Sequence, residues 1–355
     1  MIKLAMLGSG IITECHYFGL TDADAQIVAI ASTDKEQATE ACTKYGARYY
    51  SDYHELLQAE KGQVDAIIVA LPNFMHYEAC IAAINMGYKN ILCEKPMCTR
   101  EEDADKLAAL VKQEGVFFQT GYMKRFNPGF QRVKSALENI GTPSFATFSI
   151  YFSSPEPDPN PQKGEPGSWY GVVEKTGGAA LTHNGSHHID LMRYMFGDVT
   201  AVTAKMRYDV HSGGEYYISA KLEMTDGVEV DMRIGRVDVP NMGPDFSVFR
   251  DGWNETVEVI GSRGYIKCEN PTWQGYESLQ VKEWRQHAPG PETIYLECNE
   301  QWKKELHAFV ESVKTGKYDP AASTVIDGYR TDAIIAAMHR SAKQGGQRTM
   351  LDYKH

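Results

Sequence analysis

Five short apolar runs, separated by segments of largely helical period, fill the first 122 residues and leave few folds open. The runs are IKLAMLG (2–8), QIVAIAS (26–32), DAIIVALP (65–72), KNILCEKP (89–96) and VFFQTGY (116–122). Between them lie SGIITECHYFGLT, TDKEQATEACTKYG, HYEACIAAINMG and REEDADKLAALVKQEG, the last three ending in glycine. Strands that alternate with helices need crossover connections, and these are right-handed and build a parallel sheet with helices on both faces. The chain therefore opens with an α/β, doubly wound parallel sheet.

Gly8-Ser9-Gly10 stands at the first strand-to-helix turn, where such sheets bind dinucleotides. The first glycine permits the tight turn. The second lets the backbone approach a pyrophosphate, which rests on the N-terminus of the helix opened by Ile11 and Ile12. Thr13 occupies the third glycine position of the usual GxGxxG, so on the motif alone a glycine turn of another α/β protein remains open; the alternating pattern favours the dinucleotide. An acid at the end of the second strand would bind the ribose 2′-hydroxyl of NAD. Ser32 stands there instead, followed by Thr33 and Lys35, with Asp34 two places late. The expected cofactor is NAD(P)(H), with NADP slightly favoured. Leu71, Pro72, Asn73 and His76 follow the third strand and border the cofactor, although Asn73 equally suits a helix cap. Glu94 and Lys95 end the fourth strand at the same rim.

After residue 122 the alternation stops. PSFATFSIYF, VTAVTAKMRYDV, EYYISAKLEM, VEVDMRI, ETVEVIG, GYIKCE and LQVKEW read as strands, and helices close the chain. Residues 1–122 are expected to form one domain and 123–355 a second. The Pro-rich stretch 153–169 reads as a surface loop, either a lid or a plain solvent loop. A net charge of -11 and a pI near 5.5 argue against a nucleic-acid surface. No run reaches the ~18 apolar residues of a membrane span, and the start lacks the layout of a secretory signal. Seven cysteines form no CxxC pair, which reads as reduced thiols in the cytoplasm.

The stretch TGGAALTHNGSHHIDLMRYMFGD (176–198) carries three histidines and an acid. With GSGIIT, LPNFMHYEACIAAINMG, the EKP tripeptide at 94–96, GYMKRFNP (121–128) and the closing WKKELHAFVESVKTG and STVIDGYRTDAIIAAMHRSAKQG, it makes the chain resemble the Gfo/Idh/MocA oxidoreductases almost end to end. The resemblance implies a Rossmann domain followed by an α/β domain with an open, mainly antiparallel sheet. It also implies a homodimer or homotetramer through that sheet, and oxidation of a sugar, sugar derivative or polyol, or the reverse reduction. Aligned on the family segment, His187 takes the place of the catalytic base and Asp190 that of the closing acid, while His183 replaces an aspartate.

A neutral imidazole can take a hydroxyl proton near pH 7, and an ammonium beside the same oxygen stabilises the developing alkoxide. Lys95, His187 and His183 are therefore the expected catalytic set, with Lys95 touching both cofactor and substrate. His183 would either relay a proton or make the pocket more cationic, which would suit an anionic sugar. Tyr122, Lys124 and Trp169 join Lys95, His183 and His187 as expected substrate contacts, although Trp169 equally suits core packing. Arg125 and Asp190 read as structural partners at least as readily as chemical ones, and His188 as a packed or solvated residue. A metal is not expected: Gly185 separates His183 from His187, no HExxH glutamate is present, and no third ligand has suitable spacing. Two other readings stay open. One is a glycoside-cleaving enzyme that uses bound NAD transiently; the other is a dinucleotide-binding sensor without catalysis.

Overall fold

The computed structural model describes residues 1–152, 169, 172–210, 212–236, 253–271, 278–297 and 300–355. Most of the Pro-rich stretch, Tyr170, Trp273 and Cys298 lie outside the described residues. The chain forms two units. The first comprises residues 1–123, 301–332 and 354–355, and the second 124–300 and 333–353.

The first unit holds six parallel strands, β1 (Ile2–Leu7), β2 (Ala25–Ala31), β3 (Arg48–Tyr50), β4 (Ala66–Val69), β5 (Asn90–Glu94) and β6 (Phe117–Gly121). Their order is β3-β2-β1-β4-β5-β6, with the two-residue strand Ser323–Thr324 antiparallel beyond β6. The order reverses between β1 and β4, which places a ligand-binding crevice outside their carboxyl ends. The sequence announces five of these strands. Arg48–Tyr50 has three residues and no apolar run, so it gives no periodic signal. The helices between follow their caps. Asp34 accepts a hydrogen bond from the Gln37 N–H at the start of Lys35–Tyr45, and Gly46 ends it in the left-handed region. Three acids open Glu101–Glu114, where they meet the positive end of the helix dipole.

Residues 301–332, expected in the second domain, group with the first unit. Helix Gln301–Thr315 presents Leu306, Phe309 and Val310 to the same core as Leu4, Ile30 and Ile68. The approach is close: a side chain on Gly19 would sit 2.8 Å from the Trp302 carbonyl oxygen. An apolar stripe completes whichever core it packs on, and its place in the sequence does not say which.

The second unit is built on β7 (Pro143–Phe152), β8 (Val199–Tyr208), β9 (Glu215–Met224), β10 (Glu229–Arg236), β11 (Trp253–Gly261), β12 (Gly264–Asn270), β13 (Leu279–Arg285) and β14 (Glu292–Leu296). The sheet order is β14-β13-β12-β11-β7-β10-β9-β8, with Thr349–Met350 beside β8. Every neighbouring pair is antiparallel except β7 with β10. Burial alternates along β11 and β12, as expected of a sheet with one covered face. Phe130 and Val133 of helix Pro128–Ala136, Ile189 and Met192 of helix Ser186–Phe196, and residues 334–338 cover that face. Among the described residues, no helix is long and apolar enough to cross a membrane.

Candidate active site

In the first unit the expected cofactor residues gather at the carboxyl ends of β1, β2, β4 and β5. Gly8 has φ +116°, and a Cβ there would lie 2.2 Å from the Ala70 carbonyl oxygen. A Cβ on Gly10 would meet nothing within 4 Å. The fold thus needs the first glycine, while packing does not demand the second. Helix Ile12–Gly19 follows the glycine turn directly, and no side chain caps its first turn. This arrangement fits a dinucleotide pyrophosphate. Gly8→Ala is expected to cost about 2 kcal/mol or more of stability. Gly10→Ala should leave the melting temperature unchanged yet weaken dinucleotide binding by about tenfold or more, as titration calorimetry would measure. Tight binding by the second variant would refute this reading of the turn.

Ser32 is joined to the glycine turn by a hydrogen bond from the Ser9 hydroxyl, 2.7 Å. Asp34 is occupied as the helix cap and also receives no help from Thr33, which is exposed. Leu71, Pro72 and the buried Asn73 follow β4. His76 is 1% exposed, with Nδ1 2.7 Å from the Pro96 carbonyl oxygen and Nε2 2.7 Å from that of Leu71. Glu94 is buried at the end of β5, its Oε1 3.1 Å from His16 Nε2. Gly121 of β6 leaves room for this carboxylate, since a Cβ would stand 3.2 Å from it. Burial raises the Glu94 pKa, but His16, Lys95 and His76 outweigh it and hold the carboxyl below its ordinary value. The group is therefore ionised. Lys95 is half-buried, its backbone N–H 3.2 Å from Glu94 Oε2, and its peptide bond to Pro96 is cis. Tyr122, just past β6, is buried.

In the second unit the histidine segment is wound more tightly into the fold than its glycines suggest. Glu215, from β9, accepts from the N–H groups of Ala179 (2.7 Å) and Leu181 (3.0 Å) and so caps the segment from a distance. A π-helical turn, Leu181–Gly185, carries His183 and runs into helix Ser186–Phe196, which carries His187. Helical structure thus begins before Ser186 and runs through Gly185. Gly185 packs closely: a Cβ would sit 2.4 Å from Ile234 Cδ1 of β10, so a side chain there would need Ile234 to shift. His187 is buried. Its neighbour His188 faces the sheet, with Nε2 2.8 Å from Glu255 Oε1 and the ring edge-on to Phe148. Burial keeps His188 below the ordinary imidazole pKa despite Glu255, so the neutral ring donates to the carboxylate.

Lys124 has an occupation other than substrate contact. It is 1% exposed, its ammonium is paired with Glu255 and it lies 4.9 Å above the Trp253 ring. Asn270 donates to the other Glu255 oxygen, 3.1 Å. Arg125 makes two 2.7 Å hydrogen bonds to Asp190, one from each of two nitrogens. Helix Ser186–Phe196 is therefore pinned by two buried ionic groups, which fixes the direction of His187. Trp169 is partly exposed. Among the described residues, no cluster of three His, Cys, Asp or Glu side chains is placed to hold a metal ion.

Sequence reasoning missed His16, Glu215 and Glu255. Glu255 left a readable trace: Trp253, Glu255, Val257 and Val259 alternate on the covered face of β11, so a carboxylate stands where an apolar residue is expected. His16 and Glu215 gave no comparable signal, because their partners lie far away in sequence.

Residues 2–122 match the model of an oxidoreductase family with an NAD-binding Rossmann fold, and residues 130–267 match the GFO/IDH/MocA C-terminal domain. The chain is 30% identical over 278 residues to 4-carboxy-2-hydroxymuconate-6-semialdehyde dehydrogenase of Sphingobium sp., covering 77% of this chain and 78% of that protein. It is 26% identical to myo-inositol 2-dehydrogenase of Thermotoga maritima, covering 92% of each. Among solved structures, the WlbA dehydrogenase of Bordetella pertussis in complex with NADH and UDP-GlcNAcA superposes with a TM-score of 0.81, covering 99% of both chains at 22% identity.

Proposed function

Given that the chain belongs to the GFO/IDH/MocA oxidoreductases, we propose that it moves a hydride between NAD(P) and a hydroxyl-bearing carbon of a sugar, sugar derivative or polyol, with Lys95 and His187 as the catalytic pair. The observation that carries this reading is the rim of the first sheet. There a glycine turn shaped for a dinucleotide and the Glu94-Lys95 ending of β5 stand at the carboxyl ends of β1 and β5, with only β4 between.

The bound nicotinamide supplies the hydride acceptor or donor. The chain supplies the rest. In the oxidative direction the imidazole of His187 takes the hydroxyl proton, and the Lys95 ammonium stabilises the negative charge that grows on the same oxygen. In reduction the imidazole returns the proton. The ionised Glu94 beside Lys95 favours the charged ammonium, a task the missing aspartate at 183 would otherwise share.

What supports an anionic substrate is His183 in that aspartate's place, together with the carboxyl-bearing compound named for one relative. The preference for NADP rests on Ser32, which stands where a carboxylate would bind the ribose 2′-hydroxyl of NAD and repel a 2′-phosphate. We read the working form as a cytoplasmic homodimer or homotetramer joined through the second unit's sheet.

The test is a panel of myo-inositol, glucose, glucose 6-phosphate and glucuronate with each dinucleotide, followed by absorbance of the reduced nicotinamide. Turnover of at least one compound is expected, with the anionic sugars ahead of glucose. Tight dinucleotide binding with no turnover would refute the enzyme reading, and glycoside cleavage without net reduction would replace it. A neutral sugar preferred over its charged form would remove the anionic part alone. Ser32→Asp should raise the KM for NADP by about tenfold or more while sparing NAD. Equal KM values for both dinucleotides in that variant would overturn the NADP preference.

A further inference from the structure

His76 opens helix His76–Asn85 and touches two separate loops. One is the loop after β4, through the Leu71 carbonyl; the other is the turn that carries Lys95, through the Pro96 carbonyl. A carbonyl oxygen only accepts, so each contact needs an N–H from the ring. A neutral imidazole has one N–H. It would leave the second nitrogen with its lone pair against an oxygen 2.7 Å away. The imidazolium has two N–H groups, and 2.7 Å is the length expected of charge-assisted hydrogen bonds. Burial, the largest effect, and Lys95 hold the ring below its ordinary pKa against the two carbonyls and Glu94, so the second proton is inferred from the two short carbonyl contacts alone.

We infer that His76 is a doubly protonated clamp and a positioning residue: one N–H fixes the Leu71 loop at the dinucleotide, and the other fixes the Pro96 backbone that orients Lys95. The inference rests on Lys95 carrying the chemistry, as proposed above. It differs from a general packing role because the two arms have different consequences. The Pro96 arm governs the reacting group, and the Leu71 arm governs the cofactor.

Two near-isosteric variants separate the arms. In His76→Gln the amide nitrogen falls where Nε2 was, so the Leu71 contact survives and the Pro96 contact is lost. With the panel compound that turns over fastest, kcat should fall about ten- to a hundredfold while the dinucleotide Kd changes less than about threefold. In His76→Asn the amide nitrogen replaces Nδ1, which keeps Pro96 and loses Leu71. There the dinucleotide Kd should rise about tenfold, with kcat lowered less than about threefold. In the unmodified protein, ¹⁵N NMR of the ring at pH 7 should show both nitrogens protonated.

Matching profiles for the two variants, or a bare ring nitrogen in the spectrum, would overturn the clamp. Lys95→Ala, assayed alongside, keeps the two ideas apart. An active Lys95→Ala sinks the catalytic reading. An inactive one beside a His76→Gln of full activity sinks the clamp alone. If neither His76 variant folds, the ring spectrum decides.

Discussion

Lys95→Ala is expected to lower kcat by about a thousandfold while the dinucleotide Kd stays within about threefold. The physical basis is a charge that matters only when the substrate oxygen becomes negative. An ammonium in a water-poor site stabilises that alkoxide far more than it would in bulk water, and it does little for the neutral ground state. The substitution should spare the fold. Lys95 is half-buried, alanine retains its backbone N–H bond to Glu94, and His16 and His76 remain near that carboxylate when the ammonium is gone. Lys95→Arg keeps the charge but moves its centre, so an intermediate rate is expected. Single-turnover kinetics separates this loss from slow product release. Turnover by Lys95→Ala within about tenfold of the unmodified enzyme would end the assignment.

Glu255→Gln is the change expected to harm stability most. The carboxylate is completely buried and counters the buried Lys124 ammonium, while also accepting from His188 and Asn270. Removing it takes from the buried Lys124 ammonium the carboxylate paired with it, which costs about 3–5 kcal/mol. The melting temperature should drop by roughly 10 °C. The same group sets an acid limit. Burial raises its pKa, but Lys124 and His188 dominate and bring it down to about 2. A folded-state pKa below the unfolded value of 4.5 means the stabilisation is present above pH 4.5 and is lost as pH falls from there towards 2. The amount is roughly 3 kcal/mol. Denaturant midpoints should fall across that window in the unmodified protein and stay flatter in Glu255→Gln. Parallel acid profiles for the two proteins would show that Glu255 is not the responsible group.

The alternation of apolar runs and helical segments made the first sheet legible before any coordinates, because buried parallel strands need uninterrupted apolar residues. The glycine turn was legible for a related reason. A φ of +116° at Gly8 beside the Ala70 carbonyl admits only glycine, and such a demand leaves its mark on the sequence. Most strands of the second unit were readable from their period of two. β14 was not, since ETIYL has only five residues and lies partly exposed at a sheet edge.

Lys124 shows where the residue pattern misleads. The sequence offers Lys124 as a substrate contact, and nothing near it in sequence announces a counter-ion. That partner, Glu255, lies 131 positions away and is brought in by the pairing of β7 with β11. Asp190 and Arg125, 65 positions apart, follow the same rule. Local steric and periodic constraints act between neighbours, so the sequence by itself determined the strand–helix alternation, the glycine turn and the residue types at the rim. Charge neutralisation in a core acts through space. Only the tertiary structure could decide that Lys124 belongs to Glu255, that Gln301–Thr315 completes the first core, and that His76 stands between two carbonyls, because each depends on contacts between residues distant along the chain.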